Sequence, residues 1–253
     1  MKQKTLGIPI RCVDFSNSSQ VVSLITRDSG LLDALAKGSH RQKNPFQGPF
    51  DLAVLYETVW LERRNASLAL LTEASVVNGY RGVRQRWERY RACSHVLEFL
   101  RVVSVPGESS PELFDLTCAT LEELAGAVDA QDVEGILNRF DLRALGLLGL
   151  LGPAEACIRC RRAWLGSGRP AFYSVREGGL VCSRCRETGG QPRGILVNSV
   201  TLRAINSGIA GRLSQADRVV PLAGREVGAV VAQLRTNLLE RELVLLESMA
   251  RWT

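Results

Sequence analysis

The sequence predicts an α+β protein: an N-terminal five-stranded β-barrel, then an α-helical domain interrupted by a small cysteine-bearing module. Three observations predict it. The first 75 or so residues alternate short apolar runs with turn residues and hold no long helical period. From Arg81 the apolar spacing becomes that of helices. Between two helical stretches stand two C-x-x-C pairs, Cys157-Ile-Arg-Cys160 and Cys182-Ser-Arg-Cys185, separated by 21 residues.

The strands follow the apolar runs. Leu6–Val13 is apolar and interrupted by Gly7 and Pro9. Val21–Thr26 and Leu31–Ala36 flank Arg27-Asp28-Ser29-Gly30, a tight-turn sequence that predicts a hairpin. Phe50–Tyr56 follows Gly48-Pro49, and Ser67–Thr72 follows a turn at Arg63-Arg64-Asn65. Five strands over residues 1–80 fit a barrel of the OB type; an SH3-like barrel fits the same count. The stretch from Lys37 to Pro45 carries Lys37, Arg41 and Lys43 and no acid; Phe46 follows it, and Phe50 opens the next strand. Cations beside aromatic rings are what a barrel that binds single-stranded nucleic acid uses, the cations on phosphates and the rings on bases. The alternative is a solvated loop with both phenylalanines in the core.

Residues 81–253 read as a helical domain. Val83, Trp87, Tyr90, Leu97 and Leu100 recur at helical spacing, which assigns Arg84, Arg86, Arg89 and Arg91 to the opposite side. Those arginines either extend a nucleic-acid track, with Arg84 and Arg86 as candidates, or form a solvated face. Ser110-Pro111 reads as N-cap and first residue of the next helix, whose apolar face is Leu113, Leu116, Leu121, Leu124 and Val128. Eight acids and no Lys or Arg occur from Glu108 to Glu134, which disfavours contact with phosphates there. A third helix is expected from about Asp132 to Leu150, ending at Gly152-Pro153. Past the cysteines, Ser199 is the expected cap of a helix through Leu213. A last helix runs from about Glu226 to Met249, with Val227, Val230, Val231, Leu234, Leu238 and Leu245 on its apolar side. Together these helices make a small bundle into which the cysteine module is inserted.

Each C-x-x-C pair is a knuckle that aims two thiolates at one point. Two knuckles supply the four tetrahedral sulfurs that structural zinc requires. Cys157, Cys160, Cys182 and Cys185 are therefore the expected ligands of one Zn2+ per chain, in a module spanning residues 154–193. Four sulfurs leave no open coordination position, so such a metal builds structure and does not activate water. Two disulfides, or four unrelated buried thiols, are the other reading.

A net charge of +6 and a pI near 9.1 favour an anionic partner, nucleic acid first. The charge comes from 28 Arg and only 4 Lys, a bias that a GC-rich genome explains. No Lys follows a Gly, so a Walker phosphate loop is excluded. No G-x-S-x-G elbow occurs, and neither His40 nor His95 sits in H-x-E or H-E-x-x-H. The expectation is a protein that is not an enzyme and does not use ATP. Met1-Lys2-Gln3-Lys4 lacks the apolar run of a signal peptide, and Ala144 to Leu151 is too short to span a bilayer. A cytoplasmic, nucleoid-associated protein with reduced thiols is expected.

Two blocks of sequence resemble RecO, the family of bacterial recombination mediators. One is Leu24-Ile25-Thr26-Arg27-Asp28-Ser29-Gly30-Leu31-Leu32 running through Ala36-Lys37-Gly38 to the basic loop. The other is Phe140-Asp141-Leu142-Arg143 and Leu148-Gly149 leading to Cys157 and Cys160, then Gly178-Gly179-Leu180-Val181-Cys182. The order of domains covers nearly the whole chain, and the four cysteines resemble the family's zinc-bearing branch. The resemblance implies binding of single- and double-stranded DNA and annealing of complementary strands without ATP. It also implies action with RecR to load RecA onto DNA coated by single-strand-binding protein, and contact with that protein's acidic, apolar C-terminal tail. For the tail, the final helices offer Arg203, Arg212 and Arg235 near apolar positions. The competing reading is a zinc-stabilised assembly scaffold with little direct DNA binding.

Overall fold

The computed structural model describes residues 2–62, 67–152, 154–164, 170–188, 194–211, 226–234 and 236. Five strands close into a barrel: β1 (Lys2–Ser16), β2 (Ser19–Thr26), β3 (Gly30–Ala36), β4 (Leu55–Leu61) and β5 (Ala69–Asn78), in the order β1-β2-β3-β5-β4. This is the OB arrangement. Its key is the length of β1. The first part of β1 pairs with β4, from Lys2 opposite Leu61 to Gly7 opposite Tyr56. The rest pairs with β2, from Gly7 opposite Thr26 to Ser16 opposite Ser19. A register shift between Pro9 and Arg11 lets the strand turn from one partner to the other. Pro9 has no ladder N–H to offer, and its carbonyl accepts instead from Ala53. Two parallel pairs, Ala34 with Ala69 and Leu35 with Leu70, close the cylinder.

The expected hairpin between β2 and β3 is present. Gly30 takes a positive φ of 67°, and Thr26 Oγ1 accepts from Ser29 N–H and donates to the Gly30 carbonyl. A Cβ at Gly30 would stand 2.4 Å from the Glu108 carbonyl oxygen, so only glycine lets the following segment approach.

The fourth strand lies elsewhere than expected. Only Leu55 and Tyr56 of Phe50–Tyr56 belong to β4. The Phe50 backbone bonds a side chain and not a strand: its N–H donates to Gln20 Oε1 (2.8 Å), and its carbonyl accepts from Gln20 Nε2 (3.4 Å). The Phe50 ring packs between Phe46 (5.4 Å) and Tyr56 (4.9 Å) in the barrel core, with Val22, Leu24 and Trp60 in the same cluster. Phe46 and Phe50 are 2% and 4% exposed. They plug the barrel and offer no surface to a base. The expected turn at Arg63-Arg64-Asn65 lies outside the described residues.

A 3-10 turn (Arg81–Gln85) leads into α1 (Trp87–Val103), α2 (Pro111–Gly126) and α3 (Ala130–Leu147). The chain divides into two compact units, Met1–Val133 and Glu134–Thr253, so α1 and α2 share a unit with the barrel. Arg27 makes a two-pronged ion pair with Asp115 (2.9 Å for each bond). Ser110 precedes Pro111 as expected, but its side chain makes no capping bond.

The face of α1 is the reverse of the expected one at its start. Trp87 and Tyr90 are exposed, whereas Arg89 is buried. Arg89 donates from Nη1 to the carbonyls of Gly82 and Ala125 and from Nη2 to that of Ala127, capping the C-terminus of α2. The pattern failed because a guanidinium can satisfy several orphan carbonyls at once, which outweighs its preference for water.

In the second unit, α3 ends at Leu147 and the chain turns through Gly149 (φ 69°), with Leu150 N–H bonded to the Leu145 carbonyl. The expected stop at Gly152-Pro153 is thus reached after the helix has already closed. Strands β6 (Ala171–Ser174), β7 (Gly179–Val181) and β8 (Gly194–Val197) form a sheet in the order β7-β6-β8. A short helix α4 (Ser183–Thr188) follows β7, and α5 (Ser199–Ile209) follows β8. Asn198 caps α5 by accepting from Thr201 N–H, so Ser199 is the first helical residue and not the cap. Residues 226–234 are helical. Glu226 at their start accepts from Asn198 N–H (2.9 Å) and Thr201 Oγ1 (2.5 Å), bringing this segment beside α5. Its expected run to Met249, together with Arg212 and Arg235, lies outside the described residues.

Candidate metal centre and basic surface

The two knuckles meet. The sulfurs of Cys157, Cys160, Cys182 and Cys185 all lie within 4.8 Å of one another, and those of Cys160 and Cys182 are 3.7 Å apart. Four sulfurs about 2.3 Å from a common metal would stand about 3.8 Å apart at tetrahedral corners, so the donor set fits one ion held by four thiolates. The first knuckle forms because Arg161 adopts φ 62°, letting Arg161 N–H bond the Cys157 carbonyl and Cys157 N–H bond the Arg162 carbonyl (2.8 Å each). The second knuckle is the start of α4, where Arg186 N–H bonds the Cys182 carbonyl (3.0 Å).

The β6–β7 turn brings the knuckles together. Gly178 has φ 66°, and a Cβ there would stand 2.4 Å from the Leu150 carbonyl oxygen. Tyr173 is fully buried, and its hydroxyl donates to the Gly178 carbonyl (2.9 Å). Ile158 N–H bonds the Leu180 carbonyl, locking the first knuckle onto β7. Arg159, inside the first knuckle, donates to both Glu177 oxygens (2.9 and 2.7 Å) and to the Cys185 carbonyl (2.7 Å). One guanidinium thereby ties both knuckles to the turn. Its hydrogen bonds hold the Glu177 carboxyl below the usual carboxylate range. Nothing in the sequence marks Arg159 as a clamp among its many arginine neighbours; only the fold puts Glu177 opposite it.

The electrostatics suit a cation. Burial raises the Cys157 thiol, but backbone N–H groups of Cys182, Cys160 and Arg159 outweigh it and hold the thiol down at about 6. Cys182 N–H, for example, points at Cys157 Sγ from 3.4 Å. Cys185, hydrogen-bonded to Cys160 and Cys182, is pushed up to about 12. The neutral Cys185 thiol is thus favoured chiefly by its hydrogen bonds to neighbouring sulfurs, with the Cys157 charge adding to them, while Cys157 ionises readily. A divalent cation removes that difference.

On the barrel, Lys37, Arg41 and Lys43 are exposed on one loop, and none is ion-paired among the described residues. The loop is fastened from below. Gly38 N–H bonds Ser19 Oγ (3.0 Å), His40 N–H bonds the Ser18 carbonyl (3.2 Å), and Asn44 Oδ1 accepts from Phe46 N–H (2.8 Å). Buried Phe46 and Phe50 anchor its far end. The loop therefore presents cations on a rigid base but lacks the aromatic platform expected from the sequence. Arg84 and Arg86 stand apart from these three in their bonding. Arg84 pairs with Asp51 (2.9 Å), which neutralises it, and Arg86 donates to the Val128 carbonyl (2.9 Å) and keeps its charge.

Family models match nearly the whole chain: Recombination protein O N terminal over residues 1–80 and Recombination protein O C terminal over residues 84–246. A protein named DNA repair protein RecO from Rhodopirellula baltica is 36% identical over 182 residues, covering 72% of this chain and 66% of its own. One of the same name from Anaeromyxobacter dehalogenans (strain 2CP-1) is 30% identical over 247 residues, covering 96% and 93%. Another, from Moorella thermoacetica, is 27% identical over 241 residues.

Proposed function

The chain belongs to the RecO family of DNA repair proteins, and on that premise we propose that it is a non-enzymatic recombination mediator that binds single- and double-stranded DNA and anneals complementary strands without ATP. The observation that carries this reading is the loop of Lys37, Arg41 and Lys43, whose charges no carboxylate offsets among the described residues and whose backbone is pinned to a closed barrel. A pinned loop loses little further freedom when its cations meet phosphates. Arg86 is a secondary contact, and Arg84 contributes only if phosphate displaces Asp51. A protein of net charge +6 screens two phosphate backbones at once and raises their local concentration, and no step of that process needs hydrolysis.

Zinc is the metal proposed for Cys157, Cys160, Cys182 and Cys185. Bound there it supplies structure: it holds the knuckles together and relieves the repulsion among thiolates. In the cell the family resemblance implies action with RecR to load RecA onto DNA coated by single-strand-binding protein, whose acidic tail would be held by the helical domain. No helix among the described residues is long and apolar enough to cross a membrane; the place of action proposed, from the family's role on DNA, is the cytoplasm at the nucleoid.

A salt titration of binding to single- and double-stranded DNA tests the reading. Each phosphate contact contributes about −0.7 to −0.9 to the slope of log affinity against log salt, so the three loop cations together contribute about −2 to −3. A chain that binds neither form of DNA at low salt would overturn it and leave the assembly scaffold.

A further inference from the structure

Trp87 and Tyr90 occupy successive turns of α1, 65% and 47% exposed, with their rings stacked at 6.0 Å between centroids and 24° between planes. Burial in the barrel plug removes Phe46 and Phe50 from any contact with bases. Trp87 and Tyr90 are the exposed aromatic pair that the described residues leave for that task. The residues around them are cationic: the segment from Arg81 to Arg91 holds five arginines and one acid, Glu88. Among the described residues Arg86 bonds a carbonyl and keeps its charge and Arg84 is offset by Asp51, while Arg89 is buried and turned inward to the C-terminus of α2. Arg91 lies one turn beyond Trp87 on the same helix face, at the spacing that makes side chains neighbours. Asp129 and Asp132 flank the Val128 turn that Arg86 reaches, so the favourable path for a phosphate runs on the Arg91 side.

We propose that Trp87 and Tyr90 form a base-stacking platform for single-stranded DNA, with Arg91 as the phosphate contact beside it. The proposal rests on the DNA-binding reading above and adds where the bases sit. Every base has a π-face, so such a platform tolerates any sequence, and it accepts only bases freed from a duplex. An exposed stacked pair offers aromatic surface on which a base can continue the stack. An acidic, apolar peptide is the competing occupant; the near-parallel rings favour a flat aromatic partner over an irregular one.

The test compares the full-length chain with Trp87→Ala, Tyr90→Ala, the double variant and Trp87→Phe, on oligo-dT and on a duplex of equal length. Both side chains are solvent-exposed, and unchanged thermal melting checks that the variants fold. The expected result is about tenfold weaker oligo-dT binding for each alanine, an unchanged salt slope, and unchanged duplex binding. Trp87→Phe keeps affinity but removes the fluorescence quenching that oligo-dT produces in the parent chain. Equal losses on duplex and single strand, or no loss on either, would overturn the platform. Loss of binding to an acidic peptide with DNA binding intact would assign the rings to a protein partner and overturn it equally. If the parent chain itself fails to bind oligo-dT, it is the DNA-binding reading that falls.

Discussion

Among the described residues the barrel, with strands of 7 to 15 residues, closes around a cluster of eleven buried side chains, Phe46 and Phe50 from the loop before β4 and Tyr56 and Trp60 from β4 among them. The cysteine module has strands of 3 and 4 residues and buries mainly Tyr173, Val175, Leu180 and Val181. A core of the first size supports a closed sheet from apolar burial alone; strands as short as the second need a cross-link. The two regions also treat arginine differently. Around the barrel, buried Arg89 serves backbone carbonyls; in the module, Arg159 serves a carboxylate and a knuckle at once. What differs is what each arginine replaces: in one place a helix cap, in the other the packing that the module lacks.

The strongest way to break this contrast is to remove the metal. Ser in place of both Cys157 and Cys160, or a chelator, is expected to abolish zinc content and unfold the module, because such ligation contributes roughly 10–16 kcal/mol in finger peptides. The barrel should keep its own near-ultraviolet signal. Metal analysis finding no zinc in the parent chain, or a barrel that melts with the module, would refute the division.

The reciprocal experiment empties the barrel. Phe50→Ala should destabilise it by about 3–5 kcal/mol while leaving zinc content intact, as read by denaturant unfolding and metal analysis. Coupled loss of zinc would show that the module leans on the barrel.

Replacing Lys37, Arg41 and Lys43 together with Ala sharpens the contrast in function. Stability should hardly change, and the salt slope for DNA should flatten by about 2–3. An unchanged slope would move the track elsewhere, with the arginines beside the cysteines first in line.

Arg159→Ala should have the smallest effect. Knuckle, turn and sulfurs remain, but zinc should bind on the order of tenfold more weakly, as for loss of other outer-shell partners. Competition with a chromophoric chelator measures it, and an unchanged affinity would reduce Arg159 to a surface ion pair.

Much of this molecule was legible in one dimension. The C-x-x-C pairs are local, so their spacing alone predicted the cluster that the fold assembles. The Arg27-Asp28-Ser29-Gly30 turn was equally local, since a positive φ calls for glycine wherever it occurs. Strand count followed from punctuation by turns. By contrast, the place of the fourth strand depended on Gln20, thirty residues away, which holds the Phe50 backbone. The orientation of α1 depended on the C-terminus of α2, whose carbonyls draw Arg89 inward and leave Trp87 and Tyr90 outside. Arg159 became a clamp only when a sheet turn set Glu177 against it. The sequence by itself determined what chain-local chemistry dictates: a barrel of five strands, the helices and the sulfur cluster, whereas the strand order that makes the barrel an OB fold came from the structure. Tertiary structure decided which polar groups are spent on distant carbonyls and carboxylates, because a hydrogen bond between remote residues leaves no periodicity in the chain that makes it.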